Sequence, residues 1–426
     1  MSLKDTLLIG CIADDFTGAS DAASFLAKGG LVTVLCDGIP QNLEHCEGCQ
    51  AIVIALKTRS VEKELAVDES LHALHFLQEA GAKSFYFKYC STFDSTPKGN
   101  IGPVADSIME RLGTDYSLLC PALPVNKRVV RDGQLIVDGI PLDQGHMKNH
   151  PLNPMWDSYI DKLMEPQSKY PCFCVTHDEL FGDPTALKQK LDKLKKEFGH
   201  FYLIPDYTAD EDGEKIADIF GEHEFVTGGS GLLEHLAKLK SSQSIKESSK
   251  FDCAVSGRGI ALCGSCSKAT GEQIASFKRS GRLTVAVDPA KILNGEQSVK
   301  SIWDCVESNK TKELLIYSIG AEVPIKKSGD PIRDAQASKA IEETMAALGK
   351  LAYDNNFTRI IVGGGETSGA VMLALGLDSF YIGESIAPGV PIMIPTSSPN
   401  MRIALKSGNF GQADFFEQAL DRTKAC

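Results

Sequence analysis

No stretch of this sequence stays apolar long enough to span a bilayer. The start, MSLKDTLLIGCIADD, reaches acidic residues too soon for a secretory signal and reads as a first strand. Positive charge is scarce. The 44 Lys and Arg face 56 Asp and Glu, a formal net charge of -12. That balance excludes a broad nucleic-acid-binding surface but leaves room for a local basic pocket around a small acid. No GxGxxG follows the first strand, and no acid stands at the ribose-binding distance, which argues against a Rossmann dehydrogenase. No glycine loop closes with GK[ST], so the chain is not a P-loop protein. Internal repeats are absent too.

With no secretory signal, thirteen cysteines point to a reducing, cytoplasmic setting and free thiols. Two CxxC pairs occur, Cys46/Cys49 and Cys263/Cys266. A structural zinc would need four ligands drawn from pairs far apart in sequence. The first pair reads as buried thiols without chemistry. His72 and His75 lie one helical turn apart but sit mid-helix, away from strand ends, and read as a solvated or half-buried face.

What the sequence does contain centres on Arg359 to Leu375, RIIVGGGETSGAVMLAL. A β-branched strand, a glycine turn and a helix start follow one another. Glycine lets backbone approach a ligand, and the unpaired N–H groups of a first helical turn point at it. The pattern predicts a site for phosphate or another anion; the plainer alternative is a tight turn that binds nothing. Similar small-residue turns occur at Gly264-Ser265-Cys266-Ser267 and Ser407-Gly408-Asn409.

The length of 426 residues suggests two domains. Short β-rich runs at Leu7–Ala13, Val32–Leu35, Ile52–Ala55, Phe85–Lys88 and Tyr116–Leu119 alternate with helical patterns, the signature of a parallel α/β sheet. A turn is expected at Phe16-Thr17-Gly18, with a helix over Ser20–Ala27. Ligands bind beyond the carboxyl ends of such strands, where Asp14-Asp15, Lys57-Thr58-Arg59 and Lys88 to Asp94 are found. Pro121 to Pro171 breaks the rhythm and reads as an irregular insertion or lid, with a hairpin around Arg131-Asp132-Gly133. The polar run Lys238 to Lys250 reads as a linker. The expected layout is an N-terminal domain over 1–240, a linker over 241–258 and a C-terminal domain over 259–426. Two α/β domains with mainly parallel sheets result.

The first half offers Asp14, Asp15, Arg59, Lys88, Asp94, Asn126 and Lys127 at strand ends or in the insertion, with His150 on the substrate side. Arg and Lys suit a carboxylate, and an Asp can orient or deprotonate a hydroxyl. One half looks made for a nucleotide, the other for a small polyhydroxy acid. A kinase needs little beyond positioning, Mg²⁺ and charge stabilisation.

IADDFTGASDAASFLA, KYCSTFDSTPKGN, CPALPVNKR, HPLNPM, VTGGSGL, GSCSKAT, GGGETSGAV and LKSGNFG together resemble the four-carbon acid sugar kinases, in order from about Ile12 to Phe416. Phe16 and HPLNPM look most like the 3-oxo-tetronate branch; the D-threonate and erythronate branch is the alternative. The third glycine before Glu366-Thr367 is a small departure from the family's usual GGET. The resemblance implies an acid-sugar domain, an ATP domain and an active site in the cleft between them. It implies ATP-dependent phosphorylation of the 4-hydroxyl of a 3-oxo-tetronate, with Mg²⁺ held mainly by the ATP phosphates. Ser265, Gly364, Gly365, Glu366, Thr367 and Gly408 then fall on ATP, and Cys263 and Cys266 become packing residues beside the nucleotide turn. Arg59, Lys88, Ser91, Thr92, Asn126, Lys127 and His150 fall on the acid, and Asp15, Asp14 and Asp94 are the catalytic candidates. No nucleic acid or membrane partner is expected, and a homo-oligomer is left open. The contrasting reading, a non-catalytic sensor, would not need the charged residues at the strand ends.

Overall fold

The computed structural model describes residues 3–46, 48–145, 148, 154–242, 252–309, 313–321, 331–408 and 410–425. Its contacts divide the chain into two compact units, residues 1–249 and 250–426. Residues 243–251 of the expected linker, like His150 and Asn409, lie outside the described residues. Among those described, no helix is long and apolar enough to cross a membrane.

In the first unit the strands are β1 (Ile9–Ala13), β2 (Thr33–Asp37), β3 (Ala51–Ala55), β4 (Ser84–Lys88), β5 (Tyr116–Cys120), β6 (Arg128–Arg131), β7 (Gln134–Val137), β8 (Ile140–Pro141), β9 (Cys172–Val175), β10 (Phe201–Pro205) and β11 (Phe225–Gly228). The main sheet runs β2-β3-β1-β4-β11-β5-β10-β9 and is parallel throughout. β1, β3, β4 and β5 are buried along their whole length. Helices cover both faces of such a sheet, which is why its strands read as unbroken apolar runs.

The first helix differs from expectation. It runs Phe16–Lys28, so the supposed Phe16–Gly18 turn is its first turn. Asp15 is the reason: its side chain accepts the Gly18 N–H at 3.0 Å and caps the helix four residues early. The insertion is also more regular than expected, since β6, β7 and β8 form a small antiparallel sheet. Its turn holds Asp132 and Gly133, with φ of 49° and 74°, the left-handed pair that suits the twist of a two-residue hairpin.

The second unit contains β12 (Arg258–Cys263), β13 (Leu283–Val287), β14 (Leu314–Ser318), β15 (Phe357–Gly363), β16 (Ser379–Ala387), β17 (Val390–Pro395) and β18 (Arg402–Lys406). The order is β13-β14-β12-β15-β18-β17-β16. The first five strands pair in parallel, while β17 runs antiparallel to β16 and β18. APGVPIM, whose glycine and prolines read as a turn, holds the bend of the β16–β17 hairpin, and LKSGNFG begins inside β18. The core packs Ala261, Ile274, Phe277, Leu315, Ile361 and Ala404 against Phe415, Phe416 and Leu420 of the last helix.

Candidate active site

The carboxyl ends of the second unit's parallel strands surround one cavity of about 570 Å³. β13 leads to Pro289 and β14 to Ser318; β12 leads to Gly264–Ser265–Cys266, β15 to Gly364–Thr367, and β18 to Gly408. Helix Pro331–Asp354 adds Ala337, Ser338, Ile341 and Glu342. All six residues expected at ATP line this space: Ser265, Gly364, Gly365, Glu366, Thr367 and Gly408.

Small residues are obligatory here. Gly364 has φ of 117°, which side chains rarely adopt. A Cβ at Gly264 would stand 2.3 Å from Thr367 Oγ1, and one at Gly408 2.7 Å from Ser265 Oγ. Helix Gly365–Leu375 starts at the cavity wall. As in any α-helix, its first N–H groups have no partner within the helix and suit an anion. Glu342 and Glu366 share the space; burial first, then the neighbouring Glu366 charge, pushes the Glu342 carboxyl up.

The second CxxC is not a packing pair. Cys263 is buried in the core, whereas Cys266 is exposed and lines the cavity. Cys263 ends a central strand; Cys266 lies in the turn beyond it.

In the first unit, charged residues gather at the ends of β1, β3 and β4. The Asp14 carbonyl accepts the backbone N–H groups of Thr58 and Arg59 at 3.0 and 3.2 Å. Arg59 then grips Asp14 through Nε and Nη2 at 2.9 and 2.7 Å, and its Nη2 also reaches Asp15 Oδ1 at 2.6 Å. Asp14 is buried, and desolvation pushes its carboxyl up against the opposing pull of Arg59. Asp15 is more open, its side chain 31% exposed. Its Oδ1 takes Arg59 and the helix cap, while Oδ2 has no partner among the described residues.

Lys88 ends β4 with its side chain buried, donating to the Tyr89 carbonyl at 2.9 Å. Asp94 lies beside Asp14, Thr58, Arg59 and Asn100 around a void of about 10 Å³, room for a single water. Ser91 lies against the Gly229 backbone, and Thr92 is buried with Oγ1 3.0 Å from Cys90 Sγ. Asn126 has a buried Nδ2 without a partner among the described residues. Lys127 is not drawn into this group: its side chain is 78% exposed and its Nζ lies 3.9 Å from Asp138.

Residues 9–236 match the model of a sugar-binding N-terminal domain, and residues 260–416 that of a nucleotide-binding C-terminal domain. A 3-oxo-tetronate kinase of Brucella melitensis is 40% identical over 416 residues, covering 96% of this chain and 94% of its own. A 3-oxo-tetronate kinase of Pectobacterium atrosepticum is also 40% identical, over 96% of this chain and 98% of its own. The chain belongs to the four-carbon acid sugar kinase family. A crystal structure of a Haemophilus influenzae protein, 38% identical, superposes with a TM-score of 0.81 over 97% of this chain and 99% of the other.

Within this kinase framework, sequence reasoning missed three residues. Asp21 is buried and accepts Ser230 Oγ at 2.5 Å through Oδ2, and its Oδ1 has no partner among the described residues. Burial pushes its carboxyl up; Lys88, Ser230 and Arg128 pull it down. Asp21 stands in ADDFTGASD and Ser230 in TGGSG, so both motifs were visible while the pairing across 209 positions was not. The third is Lys406, the last residue of β18, wholly buried with Nζ 3.1 Å from the Gly408 carbonyl.

Proposed function

We propose that this kinase transfers the γ-phosphoryl group of ATP to the 4-hydroxyl of 3-oxo-tetronate. The observation that carries the reading is the second unit's cavity, where glycine turns and a helix start present backbone N–H groups in a space sized for a nucleotide. The relatives' names supply the acid. In the first unit Asp15 is the general base, because its Oδ2 is unengaged among the described residues and its carboxylate half-open. It takes the hydroxyl proton as that oxygen bonds to the γ-phosphorus and the bond to ADP breaks.

Arg59 enters this scheme differently from the sequence expectation. Its Nε and Nη2 are committed to Asp14 and Asp15, so it anchors the acid pair. The substrate carboxylate falls to Lys88 and Arg128, the cations that act on buried Asp21. Glu342 and Glu366, two acids facing one space, fit Mg²⁺, which takes one or two carboxylates plus phosphate oxygens. Bound there with the nucleotide, the ion would neutralise phosphate charge.

A coupled ADP-release assay across four-carbon acids and their 3-oxo forms tests the reading. The highest kcat/KM is expected with a 3-oxo-tetronate. Preference for D-threonate or erythronate would move the chain to the sister branch. Nucleotide binding without turnover of any acid would make it a sensor.

A further inference from the structure

We propose that Lys406 is the cation of the phosphate cradle, a positioning residue whose buried ammonium stabilises nucleotide phosphates through the Gly408 and Ser265 turns above it. The inference rests on the nucleotide reading of the cavity and deepens it. Lys406 Nζ lies 3.2 Å from Thr270 Oγ1, 3.2 Å from the Ser407 carbonyl and 3.1 Å from the Gly408 carbonyl. All three are neutral. No carboxylate pairs with it among the described residues; its other neighbours include the Phe415 and Phe416 rings, each at 5.8 Å. A buried cation without a counter-ion is costly to fold around, and a bound anion supplies the missing charge.

The path to that anion is short. The Gly408 carbonyl also accepts Ser267 Oγ at 2.6 Å and Thr270 Oγ1 at 3.0 Å, and Thr270 Oγ1 lies 3.1 Å from Ser265 Oγ. One hydrogen-bond network thus joins the ammonium to Ser265 and Gly408, both on the cavity wall. The ordinary alternative is a lysine that merely ties two loops together.

Titration separates the two roles. Desolvation pushes the Lys406 ammonium down to about 8. Burial pushes the two thiols nearest it away from that range. Cys263 on β12 is pushed up to about 12, and the Cys266 thiol is also raised. From helix Lys268–Arg279, Lys278 lies over the Tyr317 ring; from helix Phe415–Arg422, Glu417 accepts Ser276 and Asp421 pairs with Arg282. A nearby phosphate favours the charged lysine and raises its pKa. Phosphate-dependent affinity is therefore complete below pH about 8 and falls as pH rises through it.

Calorimetry on the full chain with ADP, and adenosine as the uncharged control, reads this at pH 7.5 and 9.5. ADP is fully ionised across the window, since a phosphate's second pKa is about 6. Wild type should lose ADP affinity on the order of tenfold while adenosine is unchanged. Lys406→Met should reduce the preference for ADP over adenosine about tenfold and remove its pH dependence, and Lys406→Arg should keep the preference without the pH dependence, arginine remaining charged. A flat wild-type ADP profile overturns the proposal, even if the Met variant fails to fold. Equal loss of ADP and adenosine in Lys406→Met also overturns it. Thr367→Arg tests the cavity reading separately: ADP binding that survives it removes the cavity itself, whereas its loss beside a flat pH profile removes only the role of Lys406.

Discussion

At the scale of single residues, Asp15 carries two jobs that a substitution can separate. One oxygen caps helix Phe16–Lys28 and meets Arg59, and the other is unengaged. Asparagine caps a helix about as well as aspartate but cannot accept a proton as a carboxylate does. Asp15→Asn should therefore keep the melting temperature near wild type while kcat falls about 10²–10⁴-fold, the usual contribution of a general base. Asp15→Ala should add a loss of about 1 kcal/mol in stability, the ordinary cost of a missing cap. Steady-state kinetics and thermal melts of both variants check this. Near-normal kcat with a raised KM for the acid would make Asp15 a binding residue. A kcat loss confined to Asp94→Asn would move the base to the other acid beside the Asp14–Arg59 pair.

At the scale of elements, the strand-turn-helix at Phe357–Leu375 does the most for the candidate site, and it was the part most legible in sequence. Its glycines are required by backbone geometry, and a chemical signal of that kind is local. The same holds for the β1 end, where Asp14-Asp15 follows five buried strand residues. Less legible was anything set by pairing at a distance. Nothing near Arg59 announces that it closes on acids 44 and 45 positions earlier, nor anything near Lys406 that its ammonium joins Thr270. The β16–β17 hairpin was missed because its glycines and prolines mimic a loop while its alternate residues face a core. Two glycines flank the helix Gly365–Leu375 and allow a controlled comparison. Gly364 has φ of 117° at the N-terminus, and its Cβ would stand 3.1 Å from Ser265 N; Gly376 has φ of 63° at the C-terminus, with open space around it. Alanine strains the backbone at both, by about 1 kcal/mol. Only Gly364→Ala should also weaken ATP binding, by about tenfold or more, as 1.4 kcal/mol of lost contact requires. Equal affinities for the two variants in calorimetry would separate the glycine turn from the nucleotide.

At the scale of the whole molecule, the chain consists of two units, each matched by its own family model. The functional reading gives them different ligands, and ligand-induced stability can show which unit responds to which. A ligand at a hundred times its dissociation constant stabilises the state that binds it by about 2.7 kcal/mol. For a domain of about 150–250 residues each kcal/mol moves the melting temperature by about 2–4 °C, so ATP should raise it by about 5–11 °C. The Thr367 side chain is buried in the cavity wall, with Oγ1 close to the Gly264 and Gly364 backbone. Thr367→Arg puts a long side chain into that space, and the ATP shift should disappear. The shift given by the acid substrate should remain, because the charged cluster around Asp14, Arg59 and Lys88 belongs to the other unit. Asp15→Asn should behave in the opposite sense, keeping the ATP shift intact. Differential scanning calorimetry of wild type and both variants, with each ligand alone, reads all of these. An ATP shift that survives Thr367→Arg would place the nucleotide elsewhere, and an acid shift lost with it would mean that the two ligands do not have separate homes.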